Sequence, residues 1–196
     1  LREKSLLTPG RFAAMRIRFL LTSLLVATAV LASGCGGGGD QSFSTPTYPF
    51  SFDYPSGWTL TRGTSFSYGS GESALRSVSV ALKEPYDQVT LTQYKLKKKL
   101  PEGENGFQPE VDRIVARLVK QAKGKASRAK VVEFGGAPGF QYEIEYHGGN
   151  GATLKNKMTF LFKDQFEYQV GCQSSEENRK ELLAGCDQVL ETLKFN

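Results

Sequence analysis

Hydrophobic residues alternate with polar ones along three segments in the second half of the chain, and this pattern constrains the fold most. The alternation covers Phe140 to His147, Met158 to Phe162 and Phe166 to Val170. A period of two is typical of a strand with one buried face, and the glycine-rich turns at 135–139 and 148–151 predict antiparallel hairpins. Further strands are predicted at residues 50–54, 58–60, 77–82 and 130–134, and residues 62–73 are predicted to be a Gly/Ser-rich loop.

Three helices are predicted among these strands. Residues 91–100 indicate a short helix closed by Pro101, and Ser174 with Glu177 resembles a capping box that would begin the last helix. The middle helix starts near Pro109, ends near Gly124 and has one apolar stripe: Val111, Ile114, Val115, Leu118, Val119 and Ala122. The last helix is predicted to bury Leu182, Leu183, Cys186, Val189, Leu190 and Leu193. Without strict strand–helix alternation, the order predicts an α+β domain whose antiparallel β-sheet is covered by helices, with one face wetter.

The N-terminal residues are typical of export rather than of a fold. Met15 is the expected translation start, so residues 1–14 are expected to be upstream sequence. Residues 15–34 form the predicted signal peptide, with basic residues followed by a 13-residue apolar segment from Phe19 to Leu31. A membrane-spanning helix needs about 20 residues, so this segment is too short to span a bilayer comfortably.

The leader ends in Leu31-Ala32-Ser33-Gly34-Cys35, which resembles a bacterial lipobox. Cleavage is predicted between Gly34 and Cys35, with a diacylglycerol group and palmitate-type acyl chains attached to the Cys35 thiol. Two acyl chains suffice for stable anchoring, which predicts a lipoprotein on the extracytoplasmic face of the cell membrane. The alternative is an ordinary signal peptide with a chance cysteine. Residues 35–47 are predicted to be a flexible tether, and residues 48–196 the folded domain.

The charge of the whole chain is +5, but the leader carries most of it. Without residues 1–34 the chain has 20 basic and 19 acidic residues, which argues against a nucleic-acid partner. Residues 91–130 contain 11 basic and four acidic residues, including the cluster Lys95, Lys97, Lys98 and Lys99. This pattern predicts a basic helical side and an acidic sheet side. The cluster is either a solvated face or a basic patch for anionic lipid or an acidic partner.

The residues that could carry chemistry are few. Cys172 and Cys186 remain as a pair if Cys35 is lipidated, and they are either disulfide-bonded or two buried free thiols. His147 is the single histidine, so a hydrolytic triad would have to include it, whereas a strand-end position makes an exposed residue the simpler interpretation. No spacing indicates a metal site, a catalytic residue or a cofactor. The aromatic faces form either a plain core or an apolar ligand pocket.

Two segments resemble the PsbP-like family. Phe52-Asp53-Tyr54-Pro55-Ser56-Gly57-Trp58 is similar to its opening Tyr-Pro-x-Gly-Trp motif, and Phe166–Cys172 followed by Glu181–Phe195 is similar to its closing strand and helix. The family includes the extrinsic PsbP subunit of photosystem II and bacterial lipoproteins of the LpqN type. The resemblance implies an α/β/α sandwich over about residues 48–195 and a non-catalytic partner of larger assemblies. A photosynthetic role does not transfer to a lipid-tethered chain.

These observations predict a membrane-anchored, non-enzymatic binding or assembly module of the cell envelope. Its expected partners are the lipid membrane, through acylated Cys35, and a protein or envelope component. A carrier of a small apolar ligand is the alternative, and an envelope hydrolase is a third hypothesis that lacks a nucleophile paired with a base.

Overall fold

The computed structural model describes residues 39–63, 74–97, 106–148 and 151–196. These residues belong to one compact unit, residues 37–196. The predicted signal peptide, Cys35, Lys98, Lys99 and most of the predicted loop at 62–73 lie outside the described residues. No helix in the described ranges is long and apolar enough to cross a membrane.

The described elements follow the predicted order of strands, helices, strands and helix, except that a strand replaces the first of the two predicted middle helices. The first strands are β1 (Gln41–Phe43), β2 (Phe50–Tyr54), β3 (Thr59–Arg62), β4 (Ala74–Lys83) and β5 (Asp87–Lys95). Helix α1 (Gln108–Ala122) precedes β6 (Lys125–Ala126), β7 (Lys130–Phe134), β8 (Ala137–His147), β9 (Thr153–Lys163) and β10 (Phe166–Ser175). Helix α2 (Arg179–Thr192) and β11 (Lys194–Phe195) end the chain.

Eight of the described strands form one large antiparallel sheet. Its order is β3-β4-β5-β10-β9-β8-β6, and β7 also pairs with β8. Residues directly opposite each other in such a sheet share a face, so the registers define two faces. Face A contains Val89, Val170 and Leu161, whereas face B contains Met158, Phe160 and Tyr142.

The two helices cover opposite faces, which gives the expected α/β/α sandwich. Helix α2 buries Leu182, Cys186 and Leu190 against face A. Helix α1 buries Val111, Val115 and Leu118, and its stripe packs against the aromatic half of face B. The prediction of one helix-covered face and one wetter face is therefore wrong, because each face receives a helix.

Face B is apolar only beneath α1. On β4, β5 and β10 the same face carries buried polar side chains: Ser77, Ser79, Thr90, Thr92, Glu167 and Gln169. The Ser77 and Thr92 hydroxyls are 3.0 Å apart, and the Gln169 amide donates to the Glu167 carboxylate at 2.6 Å. Hydrogen bonds of this kind offset the cost of burying polar groups in the sheet.

A small sheet of β1, β2 and β11 lies beside α2 and extends the core of face A. Phe43, Phe50 and Phe52 are buried, and the Phe50 ring meets the Tyr168 ring edge to face. The prediction that residues 35–47 form a tether is therefore wrong at its C-terminal end. Phe43 is apolar enough to be buried, and the backbone of β1 pairs with β2.

The predicted helix at 91–100 is wrong for its described residues. Residues 87–95 form β5, a central strand hydrogen-bonded to β4 on one side and to β10 on the other. Val89, Thr90 and Thr92 are β-branched and favour a strand, and pairing on both sides satisfies the whole backbone. Lys95 and Lys97 consequently lie at the end of a strand, so the basic residues are not confined to a helical side.

Two local predictions also need correction. The turn between β7 and β8 consists of Gly135 and Gly136 alone, both with positive φ (59° and 72°), as tight hairpin turns require. Helix α2 is not begun by a capping box at Ser174, which belongs to β10. Its N-cap is Asn178, whose side chain makes no capping hydrogen bond and instead donates to Asp87 at 2.7 Å.

Candidate functional site

A groove opens where the C-terminal half of α1 leaves face B. Its volume is about 570 Å³, and its walls come from α1, β8, β9 and the turn between β4 and β5. The lining residues are Pro85, Tyr86, Leu118, Gln121, Ala122, Ile144, Tyr146, Leu154, Asn156, Met158 and Gln173. This volume falls within the range of about 300–1,000 Å³ that is usual for small-molecule sites. We call this feature the groove.

The groove is apolar along its floor and carries no charged side chain among its described lining residues. Leu154 and Met158 of β9 and Ile144 of β8 form the floor, and Leu118 lies on the helical side. Methionine adapts to irregular shapes because its side chain is unbranched and its sulfur is polarisable. A surface of this composition favours a neutral, apolar guest.

Uncharged polar groups converge at one end of the groove. The Tyr146 hydroxyl donates to the side-chain oxygen of Gln173, and the Gln173 amide donates to the Tyr86 carbonyl oxygen at 3.0 Å. Burial raises the pKa of Tyr146 to about 12, while a hydrogen bond with Asn156 acts in the opposite direction. The phenol is neutral at physiological pH, and because its one proton is donated to Gln173, its oxygen can accept a further hydrogen bond, as from a hydroxyl group.

The end of α1 is fixed closely above the sheet. Lys123 ends the helix in the left-handed conformation, with φ of 51°, and the Gly124 N–H donates to the Val119 carbonyl at 2.9 Å. A Cβ atom at Gly124 would overlap the carbonyl oxygen of Glu145 on β8. Glycine is thus required where the helix turns directly into β6, and this contact sets the height of the groove wall.

The N-terminal half of α1 is tied to the same sheet face. The buried Tyr142 hydroxyl donates to the Asp112 carboxylate at 2.8 Å. Burial raises the pKa of Tyr142 well above its usual value, and the hydrogen bond to Asp112 acts in the same direction. This pair positions the helix and lies outside the groove.

A second depression lies on face A and is strongly charged. Its volume is about 390 Å³, and it is lined by Lys125, Ser127, Glu143, Glu145, Lys155 and Arg179 with two apolar neighbours. Arg179 pairs with Glu143, Lys125 with Glu145, and Lys155 with Glu176, all within 3.1 Å. The hydrogen bond from Lys125 holds the pKa of Glu145 below its usual value. Because these charges neutralise one another, the depression is an ion-pair network rather than a ligand site.

The structure joins Cys172 and Cys186 by a disulfide, with Cα atoms 5.9 Å apart. Helix α2 begins seven residues before Cys186 and runs back across the end of β10, which brings the second cysteine over the first. Both side chains are fully buried. The bond lies within the core of face A, away from the groove.

The remaining predicted residues do not gather into a site. His147 is exposed at the end of β8, and its Nδ1 lies 3.5 Å from the Thr153 hydroxyl. Lys95 and Lys97 are exposed at the end of β5, far from the groove. No group of three His, Cys, Asp or Glu residues within the described ranges could hold a metal ion.

Sequence reasoning missed the groove as a site, although it named several of its residues. Ile144, Tyr146 and Met158 appear in the alternating strands, where burial in a plain core explains them equally well. The polar partners, Tyr86, Asn156 and Gln173, come from three separate strands or turns. Only their pairing across β8, β9 and β10 brings them together, so no signal within one segment could have found the site.

The geometry defines an antiparallel α/β/α sandwich with a neutral groove at one end of its sheet. Solved structures with the same architecture include the cyanobacterial PsbP protein, CyanoP, from Synechocystis sp. PCC 6803. It has a TM-score of 0.58 and 15% identity over 83% of this chain and 96% of that one. The fold predicted from the PsbP-like resemblance is therefore confirmed.

LpqN, described as involved in cell envelope biogenesis of Mycobacterium tuberculosis, also aligns with this chain. Its TM-score is 0.48, with 12% identity over 80% of this chain and 91% of that one. No protein-family model and no curated protein matches the sequence.

Proposed function

We propose that the mature chain is a non-catalytic binding module of the cell envelope, anchored on the extracytoplasmic side by lipid on Cys35. In this proposal the groove holds an apolar group of a neutral envelope component. The supporting observation is the composition of the groove: an apolar floor, no charged lining residue among those described, and one cluster of neutral hydrogen-bonding groups at its end. An acyl or isoprenoid chain that ends in a hydroxyl group matches this arrangement.

The anchoring part of the proposal rests on the lipobox and not on the groove. A 13-residue apolar segment followed by Leu-Ala-Ser-Gly-Cys supports cleavage before Cys35. We expect intact-mass analysis of the protein from membranes to show an N-terminal cysteine with a diacylglyceryl group. A Cys35→Ala variant should lose this mass increment, because it has no thiol to acylate. A free Cys35 thiol, or a leader still attached, would contradict the anchor.

The groove can be tested without knowing its natural ligand. Ala122 lines it from α1, whereas Ala116 is exposed on the other side of the same helix. We expect Ala122→Trp to fill the groove and to reduce binding of the neutral fluorescent probe N-phenyl-1-naphthylamine at least tenfold. Ala116→Trp is the matched control and should bind the probe like the unmodified protein. Equal binding by both variants would remove the groove from the proposal.

The same groove also favours the carrier alternative, in which a free small apolar molecule occupies it. Native mass spectrometry of the protein released from membranes separates the two functions. A carrier should retain a discrete apolar ligand that Ala122→Trp excludes. If the groove instead binds part of an anchored envelope component, the released protein should be recovered empty. It should then cross-link to that component in intact membranes.

A protein partner is the second candidate, and one observation favours it. Val131 of β7 is 61% exposed, an unusual position for a valine, and among the described strands β7 pairs with β8 alone. An open edge with an exposed apolar residue can accept a strand from another chain. We expect Val131→Lys to abolish cross-linking to such a partner while leaving probe binding in the groove unchanged.

A further inference from the structure

Four basic side chains form a diagonal row on the large sheet, which starts at one end of the sheet and steps inward. Lys95 of β5 is directly opposite Phe166 of β10, which is opposite Lys163 of β9. On the other side, Arg76 of β4 is opposite Gln93, two residues inward from Lys95. Arg62 of β3 is opposite Val78 and therefore level with Leu91, four residues inward. The registers place all four basic residues on face A. The five neighbouring strands that carry the row span about 19 Å.

The row is accessible and only weakly neutralised. Arg62, Arg76 and Lys95 are exposed, as is Lys97 two residues beyond β5, while Lys163 is partly exposed. The acidic residue described on this face at this end is Asp164, in the turn after β9. Glu133 of β7 faces the other way, because its register partner Pro138 lies on face B. These groups sum to an excess of four positive charges at one end of the domain.

The C-terminal end of β1 and the turn that follows it lie beside this row. The Arg62 guanidinium lies 5.7 Å from the centre of the Phe43 ring of β1, and Arg76 donates to the Thr47 carbonyl between β1 and β2. Cys35 is six residues before Gln41, so a fully extended chain places it within about 20 Å of β1. A tether of this length allows a lipid on Cys35 and the basic row to contact one bilayer surface.

The groove lies at the opposite end of the sheet. Tyr86, which accepts the hydrogen bond from Gln173, precedes β5, whereas Lys95 ends it. The nine residues of β5 span about 26 Å at 3.3 Å per residue. An orientation with the basic row against the membrane therefore turns the groove away from that membrane.

We propose that the row formed by Arg62, Arg76, Lys95 and Lys163 is a docking surface for anionic lipid headgroups. It orients the anchored domain with its groove toward the envelope space. The orientation rests on the proposed anchor, but the affinity for anionic lipid does not. Docking is electrostatic, so it weakens as added salt shortens the screening length from about 8 Å to about 3 Å.

The test measures membrane affinity without the lipid anchor, so failure of the anchor cannot be mistaken for failure of the surface. Both described cores lie within residues 37–196, so the mature chain with Cys35→Ser contains everything that they bury. We expect this protein to float with phosphatidylglycerol vesicles, not with phosphatidylcholine vesicles, and to be released in 1 M salt.

The decisive comparison uses two triple variants with equal loss of charge. Arg62→Gln, Lys95→Gln and Lys163→Gln neutralise three of the four residues in the row, whereas Lys83→Gln, Lys120→Gln and Lys180→Gln neutralise exposed lysines elsewhere. We expect the first variant to lose about a hundredfold in vesicle partitioning, since each basic residue near an anionic surface contributes about fivefold. The second should partition like the unmodified protein, and circular dichroism should show that both fold.

Three results would overturn the docking surface. Equal losses in the two triple variants would show a general charge effect, and equal binding to both kinds of vesicle would show that charge is not recognised. Tighter binding of the row to polyglutamate than to phosphatidylglycerol vesicles would assign it to an acidic protein instead.

Discussion

The indole ring of Trp58 lies against Gly185 in the middle of α2, and the contact leaves no room for even one methyl group on Gly185. A Cβ atom at Gly185 would lie 2.7 Å from Cζ2 of Trp58 and 3.0 Å from Cγ of Pro55. Trp58 is buried, and Pro55 begins the turn that delivers it. The Tyr-Pro-x-Gly-Trp motif therefore has a structural role here, since it seats α2 on face A.

Gly185→Ala should destabilise the domain by about 2 kcal/mol, as overpacking of a core does, even though alanine favours a helix. Urea unfolding would measure the change. Trp58→Phe supplies the control, because removing the larger ring should reduce the penalty of the alanine. A double-mutant cycle with additive losses would show that the two positions do not interact.

Asp87→Ala should destabilise the domain by about 3 kcal/mol. The buried Asp87 carboxylate accepts hydrogen bonds from the Ser175 N–H at 2.6 Å, the Ser175 hydroxyl at 2.8 Å and the Asn178 amide at 2.7 Å. Its loss would leave these donors without their acceptor and loosen the start of α2. Glu110→Ala removes an exposed ion pair with Arg113 and should change the unfolding free energy by less than about 1 kcal/mol. Similar losses in both variants would refute this role.

Reduction of the Cys172–Cys186 bond should lower the free energy of unfolding by about 3 kcal/mol. The two cysteines are 14 residues apart, and closing a loop of about this length restricts the unfolded chain by that amount. Urea unfolding with and without reductant measures the effect. The Cys172→Ala, Cys186→Ala double variant should not respond to reductant. Two titratable thiols in the unreduced, denatured protein would show that the bond does not form.

Tyr146→Phe should reduce the fall in unfolding free energy that occurs as the pH rises above 10. The pKa of Tyr146 is raised from 10.0 to about 12 in the folded state, so between these values the unfolded tyrosine has lost its proton and the folded one has not. The unfolded state then binds fewer protons, and stability falls as pH rises above 10. Unfolding free energies from pH 9 to 12 should decline less steeply in the variant. Tyr142→Phe should act in the same direction, and identical slopes in all three proteins would contradict both shifts.

Gly124→Ala should disturb the groove more than the core. The added methyl group would overlap the Glu145 carbonyl oxygen and lift the end of α1 from β8. We expect weaker binding of N-phenyl-1-naphthylamine together with a modest loss of stability. Gly63→Ala is the comparison, because Gly63 also has a backbone conformation that favours glycine, a positive φ, but lies outside the groove lining. Unchanged probe affinity in Gly124→Ala would show that the helix end does not set the groove wall.

The spacing of hydrophobic residues predicted the helices and strands that bury one face against a single neighbouring layer. The stripe of α1 was found because Val111, Val115 and Leu118 recur at helical spacing, and β8 and β9 were found because one face of each is apolar. β5 was not found. Its Lys95 end suggested a surface helix, and the polar Thr90, Thr92 and Gln93 hid the fact that the strand is buried on both sides.

The sequence alone determined the α+β class and the antiparallel pairing, because hydrophobic period and glycine turns act over only a few residues. It also supplied the expectation of a lipid anchor, which rests on residues around Cys35. Only the tertiary structure decided that both faces of the sheet are covered and where the groove lies. It also decided that the Asn178 side chain donates to Asp87 instead of capping its own helix. Those features depend on contacts between residues dozens of positions apart, and chain folding alone brings such residues within hydrogen-bonding distance.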